Sequence, residues 1–228
     1  MTMLIDIVLT GRPVLIVGEG KEPEFKASKL LDAGAEVTVI GESFTEGLRK
    51  TAARSRGLVS LVSARPTREV VVRAVQEKRP RVVFISTGRP DLDEELSEAV
   101  RATNVGPLVC VVDEPRLNDF NMPALAKIGD VRVAVSTGGM SPAMAAILRD
   151  RIEKVVTKKD VLLVRLQGHI RKESRRRLKD APTRKEFAYL VIRDRKIGAL
   201  LTKGDYPGAK ALAEKMLEEA ARRGRAGK

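Results

Sequence analysis

Five short apolar runs, separated by stretches with helical periodicity, constrain the fold of this chain more than any other feature. The runs are rich in valine, isoleucine and leucine and lie at residues 13–17, 37–40, 58–62, 82–86 and 108–112. Continuous apolar runs of this length are typical of strands buried on both faces of a parallel sheet. The helical patterns between them cover residues 24–33, 45–55, 67–77 and 92–103. Strands and helices that alternate at this spacing predict a parallel sheet with right-handed crossovers.

The pattern changes after Asp113. Residues 118–123 have loop-like composition, and residues 131–136 are predicted to form another strand. Ser141-Pro142 is a good helix start, because serine caps the first turn and proline suits the first helical position. Further helices are predicted at residues 144–179, 183–192 and 209–223. The last third of the chain is therefore predicted to be a small all-helical unit.

The positive charge of the chain is concentrated in that last third. The net charge is +13; residues 1–150 hold 20 basic and 20 acidic side chains, whereas residues 151–228 hold 23 basic and 10 acidic ones. A basic surface attracts polyanions such as nucleic acid, anionic lipid or a polycarboxylate substrate, and the alternative is a solvated helical surface in a heat-adapted protein. Aromatic residues make up 3% of the chain and tryptophan is absent. Single-stranded nucleic acid, which is bound by base stacking, is therefore not an expected partner.

A glycine-rich turn joins the first predicted strand to the first helix. Gly18 and Gly20 allow the backbone to approach a pyrophosphate, and the N-terminus of the helix that follows supplies free N–H groups. Pro23 occupies the third glycine position of the dinucleotide-binding pattern, so the match is incomplete. The turn therefore predicts a dinucleotide site, and the alternative is an ordinary tight turn.

An acidic residue follows the second predicted strand. Glu42, with Ser43 beside it, lies where a carboxylate commonly binds the adenosine ribose of NAD. This position favours NAD over NADP, unless Glu42 is a solvated loop acid.

Three further features limit the classes of protein. Cys110, the single cysteine, cannot form an internal disulfide and is expected to be a small buried side chain rather than a nucleophile. His169, the single histidine, lacks a neighbouring Cys/His pattern, so we predict no metal site. No apolar stretch approaches the roughly 20 residues of a membrane span, and Asp6 and the missing basic region do not suit a signal peptide. We expect a cytoplasmic location and no membrane partner.

Several segments carry distinctive patterns that run in order along nearly the whole chain. They lie at residues 11–20, 26–27, 30–39, 111–115, 119–124, 133–143 and 200–206. The most specific are Asp-Phe-x-x-Pro at residues 119–123 and Ser-Thr-Gly-Gly-x-Ser-Pro at residues 136–142. Together they resemble the precorrin-2 dehydrogenase/siroheme synthase family.

The resemblance implies a fold and a reaction. It implies an α/β fold in which a Rossmann-like parallel-sheet domain is followed by a small dimerisation segment and a C-terminal all-helical domain. We place these parts at residues 1–113, 114–150 and 151–228. It also implies that NAD oxidises precorrin-2, a tetrapyrrole, to sirohydrochlorin, that the chain forms a homodimer, and that ferrous iron is a further substrate if the chain also makes siroheme.

The resemblance also implies roles for particular residues. Asp113 closes the fifth predicted strand and is expected to be catalytic, the alternative being a turn cap before Pro115. The expected cofactor-binding residues are Gly18, Gly20, Lys21, Glu22, Glu42, Ser43 and Thr87. The expected substrate-binding residues are Asn118, Asn121, Thr137, Gly138, Gly139, Ser141 and Pro142. The backbone N–H groups of Gly138 and Gly139 are suited to bind carboxylates of the substrate, and the alternative is that these glycines only permit a turn.

One departure from the family and two competing functions remain. Relatives carry aspartate after the threonine that ends the fourth strand, whereas Thr87 is followed by Gly88 and Arg89, and Arg89 could tolerate a phosphate. The chain would belong to a class other than enzymes if it sensed NAD or bound nucleic acid through the basic helical domain. A paralogue that binds tetrapyrrole without redox chemistry is the third option, and the presence of Asp113 speaks against it.

Overall fold

The computed structural model describes residues 3–226 and the side chains of residues 3–223. Contacts divide the chain into two compact units, the first ending at Met122 and the second beginning at Pro123. The assignment of roles to three parts, with limits at residues 113 and 150, stays a prediction. No helix in the described range is both long enough and apolar enough to cross a membrane.

The first unit is built on a parallel sheet, as the alternating pattern predicts. Its strands are β1 (Pro13–Gly18), β2 (Glu36–Gly41), β3 (Val59–Ser63), β4 (Val82–Ser86) and β5 (Leu108–Val111). The strand order is β3-β2-β1-β4-β5, and all four neighbouring pairs are parallel. The order reverses at β1, which places a crevice outside the carboxyl ends of β1 and β4, where doubly wound sheets bind ligands.

Four helices connect these strands. They are α1 (Lys21–Asp32), α2 (Glu46–Arg54), α3 (Arg68–Lys78) and α4 (Pro90–Arg101). The side chains of Thr45 and Thr67 cap α2 and α3 by accepting backbone N–H groups. Helix α1 begins three residues before its predicted start at residue 24. Proline is tolerated at Pro23 because the N–H groups of a first helical turn have no partner within the helix.

Alternate residues of the central strand pack on opposite faces of the sheet. Val14 and Ile16 of β1 belong to one core, and Leu15 and Val17 belong to the other. Cys110 lies in the first core with 5% of its surface exposed, and burial raises the pKa of its thiol to about 11. This confirms that Cys110 is a small buried side chain.

The second unit begins with an antiparallel pair of strands. The pair consists of β6 (Ala124–Ile128) and β7 (Val131–Val135), and the helix α5 (Pro142–Val155) follows. Strand β7 and the helix start at Ser141-Pro142 agree with the sequence pattern. Strand β6 was not predicted, because its five residues contain two alanines and a lysine and lack a clear alternating pattern.

Four more helices complete the second unit within residues 3–226. They are α6 (Lys158–Arg177), α7 (Ala181–Arg193), α8 (Arg195–Thr202) and α9 (Tyr206–Ala226). The helical pattern predicted over residues 144–179 is divided between α5 and α6. The chain breaks at Val156, and Thr157 and Asp160 form a reciprocal capping box that starts α6. The apolar core of these helices includes Leu166 and Phe187.

Candidate functional site

Gly18 is required by the close approach of three strands. It ends β1 with φ of +143°, and a Cβ added there would lie 1.9 Å from the backbone oxygen of Ser86 in β4. On the other side, a Cβ on Gly41 of β2 would lie 2.6 Å from the backbone oxygen of Gly18. These two glycines allow the carboxyl ends of β1, β2 and β4 to meet, and this edge carries the predicted cofactor residues.

Gly20 leaves the start of α1 open. Its φ of 85° and ψ of −151° lie in a region that glycine alone occupies readily. A Cβ placed there would meet no atom of the described chain within 4 Å. Because Gly20 has no side chain, it cannot cap the first N–H groups of α1, those of Lys21 and Glu22. Free donors at a helix N-terminus beside open space fit the pyrophosphate of a dinucleotide.

The carboxylate between the two glycines, Glu19, was not predicted as part of the site. It accepts hydrogen bonds from the backbone N–H of Glu42 at 2.8 Å and from the hydroxyl of Ser43 at 3.1 Å. Glu19 therefore ties the glycine-rich turn to the loop after β2, where the ribose is expected. The only sequence signal was an acid at the middle position of a Gly-x-Gly turn.

The acids in the first turns of α1 are engaged by neighbouring side chains. Glu22 forms an ion pair with the buried amine of Lys26 at 3.0 Å, and Glu24 accepts a 2.5 Å hydrogen bond from the hydroxyl of Thr45. The ion pair with Lys26 offsets the negative charge of Glu22, and the hydrogen bond from Thr45 fixes the carboxylate of Glu24. The predicted role of Glu22 in cofactor binding therefore rests on its backbone N–H group.

A pocket of about 550 Å³ opens at the same edge of the sheet. Its lining residues come from the last residue of β3 and the loops after β2, β3 and β4: Glu42, Ser63, Ala64, Arg65 and Arg89. Glu42 lies 3.8 Å from the guanidinium of Arg65. Because β1 lies between β2 and β4 in the sheet, the pocket adjoins the glycine-rich turn. Arg65 was not predicted, because it follows β3 and no local pattern marks it.

Thr87 is held by a buried carboxylate. Asp93, which is 2% exposed, accepts both the backbone N–H of Thr87 at 3.0 Å and its hydroxyl at 2.5 Å. The hydroxyl in turn accepts the backbone N–H of Arg89 at 3.3 Å. The loop at Gly88 lacks the aspartate that the family carries there, and Asp93 fixes the conformation of this loop instead.

Asp113 lies two residues beyond the end of β5 and is exposed. Among the described residues, none donates a hydrogen bond to its carboxylate or forms an ion pair with it. Strand β5 is the second strand from β1, so the two strand ends are about 10 Å apart at the usual spacing of strands. The nicotinamide of a dinucleotide held at α1 can cover such a distance.

The two predicted asparagines organise the chain beside Asp113. Asn118 accepts the backbone N–H of Val111 at 2.6 Å, and its amide donates to Asn121 at 3.2 Å. The next residue, Asp119, accepts the backbone N–H of Val109 at 2.8 Å. These bonds pair the open edge of β5, which gives the Asn118–Asp119 segment a structural function whether or not it also contacts substrate.

The remaining predicted substrate residues form a loop in the second unit. The hydroxyl of Thr137 accepts the backbone N–H of Ser141 at 3.0 Å and donates to the carbonyl of the same residue at 3.0 Å. Gly138 and Gly139 both have positive φ, and a Cβ on either would meet no described atom within 4 Å. Ser141 caps α5, and Pro142 is its first residue. The loop is thus a closed turn with an open glycine pair.

No group of three or more His, Cys, Asp or Glu side chains in the described chain is arranged to hold a metal ion. His169 is placed 2.7 Å from the carboxylate of Glu214 in the second unit. Its ring is therefore engaged by a neighbouring helix.

Two family models match this chain. The NAD(P)-binding model NAD_binding_7 matches residues 5–124, which are 120 of the 228 residues, and the model for the sirohaem biosynthesis protein central region matches residues 129–154. The siroheme synthase of Methylococcus capsulatus is 36% identical over 183 residues, covering 80% of this chain and 36% of that protein. Siroheme synthase 2 of Aeromonas hydrophila is 29% identical over 213 residues, covering 93% of this chain and 43% of that protein. The chain thus spans less than half the length of these relatives.

The fold also matches a solved structure. The precorrin-2 dehydrogenase SirC superposes with a TM-score of 0.72 at 17% identity, covering 94% of this chain and all of that one. This likeness confirms the α/β fold, and the family matches confirm the resemblance that the sequence carries.

Proposed function

The chain belongs to the NAD(P)-binding family, and from that premise we propose that it is an NAD-dependent dehydrogenase that oxidises precorrin-2 to sirohydrochlorin. The observation that carries the proposal is the open start of α1, where Gly20 leaves the N–H groups of Lys21 and Glu22 free. Two relatives are named siroheme synthases and the solved structure with the same fold is named a precorrin-2 dehydrogenase, and these names support the choice of substrate.

The first unit would bind the cofactor through its own backbone and two loops. The N–H groups of Lys21 and Glu22 hold the pyrophosphate, and the ammonium of Lys21 adds a positive charge at the same turn. The carboxylate of Glu42, whose backbone is fixed by Glu19, accepts the ribose hydroxyls. Thr87 positions the loop on the other side of β1. When bound, NAD supplies the acceptor for the hydride that leaves the macrocycle.

Asp113 would act on the macrocycle itself. Loss of a hydride and a proton oxidises precorrin-2, and the proton needs an acceptor at the carboxyl edge of the sheet. The carboxylate of Asp113 is exposed and unpartnered within residues 3–226, so it is available to take that proton. Asn118 anchors the adjoining loop to β5 and thereby limits the movement of the Asp113 turn.

The Thr137–Ser141 turn would bind substrate carboxylates. The N–H groups of a positive-φ glycine pair beside the first turn of α5 suit an anion, and precorrin-2 is a polycarboxylate. The bonds between Thr137 and Ser141 hold the turn in this conformation.

The test is a coupled spectroscopic assay. Purified protein is incubated with precorrin-2 and NAD, and NADH and sirohydrochlorin are measured together. We expect one NADH for each sirohydrochlorin formed. Absence of NADH with a folded protein that binds NAD would overturn the assignment of substrate.

Three further properties belong to this proposal. We propose a homodimer, tested by light scattering, and a cytoplasmic location, tested by cell fractionation. Ferrous iron is proposed as a second substrate if the chain also makes siroheme. Addition of ferrous iron to the product of the first assay tests this, because siroheme has a different absorption spectrum from sirohydrochlorin.

The competing function is nucleic-acid binding by the basic helical part of the chain. Residues 151–228 contain 23 basic and 10 acidic residues, and this surplus of positive charge favours nucleic-acid binding. We propose instead that this charge steers the anionic substrate. Raised ionic strength should then increase KM for precorrin-2, whereas a salt-sensitive shift of duplex DNA in a gel with no dehydrogenase turnover would favour the competing function.

A further inference from the structure

Charged side chains attach the segment that follows Asp113 to α4. The guanidinium of Arg116 donates two hydrogen bonds to the carboxylate of Glu94 in α4, at 2.9 and 2.7 Å, and a third to Glu114 at 3.1 Å. A bidentate pair of this kind fixes orientation as well as distance, because the planar guanidinium matches the carboxylate. The hydrogen bonds from Arg116 also lower the pKa of Glu94, so the pair stays ionised at neutral pH.

The same segment is attached to α4 at a second point. Arg101, about two helical turns beyond Glu94, donates to the backbone carbonyl of Leu117 and to the carboxylate of Asp119, the latter at 3.2 Å. Between the two attachment points lies a short 3₁₀ helix, Pro115–Leu117. The chain that follows Asp113 is therefore fixed to α4 on both sides of this short helix.

The position of Asp113 depends on its backbone. Within residues 3–226, no group donates a hydrogen bond to its carboxylate. On the strand side, the N–H of Glu114 donates to the carbonyl of Val111, the last residue of β5, at 3.3 Å. On the other side, the chain is held by the pair of Arg116 with Glu94. Loss of that pair would release one of the two supports of the turn.

The pair lies at the surface, so its contribution is local. The side chains of Arg116 and Glu94 are 60% and 39% exposed, and ion pairs of this exposure add little to the stability of a whole domain. The neighbouring acid of α4, Asp93, holds Thr87 in the loop after β4. Two consecutive acids of α4 thus each fix one loop at the carboxyl edge of the sheet, Asp93 the loop after β4 and Glu94 the loop after β5.

We propose that Arg116 and Glu94 are positioning residues for the dehydrogenation, because their ion pair holds Asp113 where it can accept the proton of the macrocycle. The proposal rests on the proposed function, which makes Asp113 the proton acceptor. A base must lie within hydrogen-bond reach of the proton that it removes, and a displacement of about 1 Å can slow a reaction about 100-fold. Neither Arg116 nor Glu94 has to touch the substrate to have this effect.

The experiment compares Arg116→Gln, Glu94→Gln and the double variant with the unmodified protein. Four quantities are measured: kcat, KM for precorrin-2, the dissociation constant of NAD, and the midpoint of urea unfolding. Lys50→Gln is the matched control, because it breaks an exposed ion pair with Glu46 in the same unit, 3.4 Å long. That pair lies on α2, which packs against β3 at the opposite edge of the sheet from β5.

Each single variant should lower kcat about tenfold and leave the other three quantities nearly unchanged. The double variant should have the same kcat as either single variant, because the two residues act as one unit, whereas independent effects would multiply to about a hundredfold. Arg116→Lys keeps the charge without the paired hydrogen bonds, so its kcat should lie between those of Arg116→Gln and the unmodified protein. Lys50→Gln should leave all four quantities unchanged.

Asp113→Asn, measured beside these variants, separates the inference from the proposed function. If Asp113→Asn stops turnover while Arg116→Gln and Glu94→Gln keep normal kcat, the inference is wrong and the proposed function stands. The inference is also overturned if NAD affinity and the urea midpoint fall together with kcat, since the pair would then have a general structural role. If Asp113→Asn keeps normal turnover, the proposed role of Asp113 fails and the inference fails with it.

Discussion

Replacing Gly18 and Gly20 separately by alanine distinguishes a glycine that the sheet requires from one that the ligand requires. In Gly18→Ala the new Cβ lies 1.9 Å from the backbone oxygen of Ser86, whereas carbon–oxygen contacts normally begin near about 3.3 Å. Strands β1 and β4 must therefore separate by about 1.4 Å at this pair, which disturbs their ladder. Overpacking costs about 1–3 kcal/mol and backbone strain costs a similar amount, so the free energy of unfolding of Gly18→Ala should fall by about 4 kcal/mol.

Gly20→Ala meets no such clash within the described chain, so backbone strain alone should reduce the free energy of unfolding by about 2 kcal/mol. Its Cβ would occupy the open space at the start of α1, and NAD affinity should fall by about tenfold or more. Gly57→Ala is the matched control, because Gly57 has a similar φ of +88° with open surroundings but precedes β3 at the opposite edge of the sheet.

Urea unfolding followed by circular dichroism measures stability, and equilibrium titration measures NAD binding. The reasoning about the sheet is refuted if Gly18→Ala is as stable as Gly20→Ala. The reasoning about the ligand is refuted if Gly20→Ala binds NAD as tightly as Gly57→Ala does.

Three further predictions concern the surroundings of the site and the second unit. Asp119→Ala should lower the free energy of unfolding by about 1–2 kcal/mol, because the N–H of Val109 loses its acceptor, whereas Asp119→Asn should lower it less in the same urea assay. Cys110 should react with a thiol reagent at pH 8 far more slowly in the folded protein than in urea, because burial raises its pKa to about 11 and suppresses the thiolate; equal rates would contradict this. Hydrogen bonds from Thr157 lower the pKa of Asp160. The stabilisation from these bonds is therefore complete above the unfolded pKa of about 3.9, and it is lost as pH falls through the lower pKa of the folded protein. An NMR titration that shows an ordinary pKa for the Asp160 carboxyl would contradict this prediction.

The sheet could be predicted because strands buried on both faces leave continuous apolar runs, as Val14–Val17 does in β1. The division between α5 and α6 was missed for the opposite reason. Valines lie on both sides of the break, at Val156 and Val161, so the apolar pattern resumes directly after it, and the Thr157-x-x-Asp160 capping box is the signal that marks the new helix. Strand β6 carries too short a pattern to be recognised without its partner β7.

The same contrast holds at the candidate site. Gly18 and Gly20 could be predicted because a local turn pattern marks them. The roles of Glu19 and Arg65 depend on which strands become neighbours, and β1, β2, β3 and β4 are brought together by the sheet order rather than by adjacency in the sequence. Contacts of this kind leave no local signal in a single sequence.

Turnover and NAD affinity of Asp113→Asn, compared with Asp91→Asn, test the central claim most directly. Asp91 is an exposed aspartate in the first turn of α4, at the same edge of the sheet. Asp113→Asn should bind NAD with unchanged affinity and lose nearly all formation of sirohydrochlorin, while Asp91→Asn keeps both. Normal turnover by Asp113→Asn would contradict the account, because the carboxylate at the end of β5 would then have no part in the reaction.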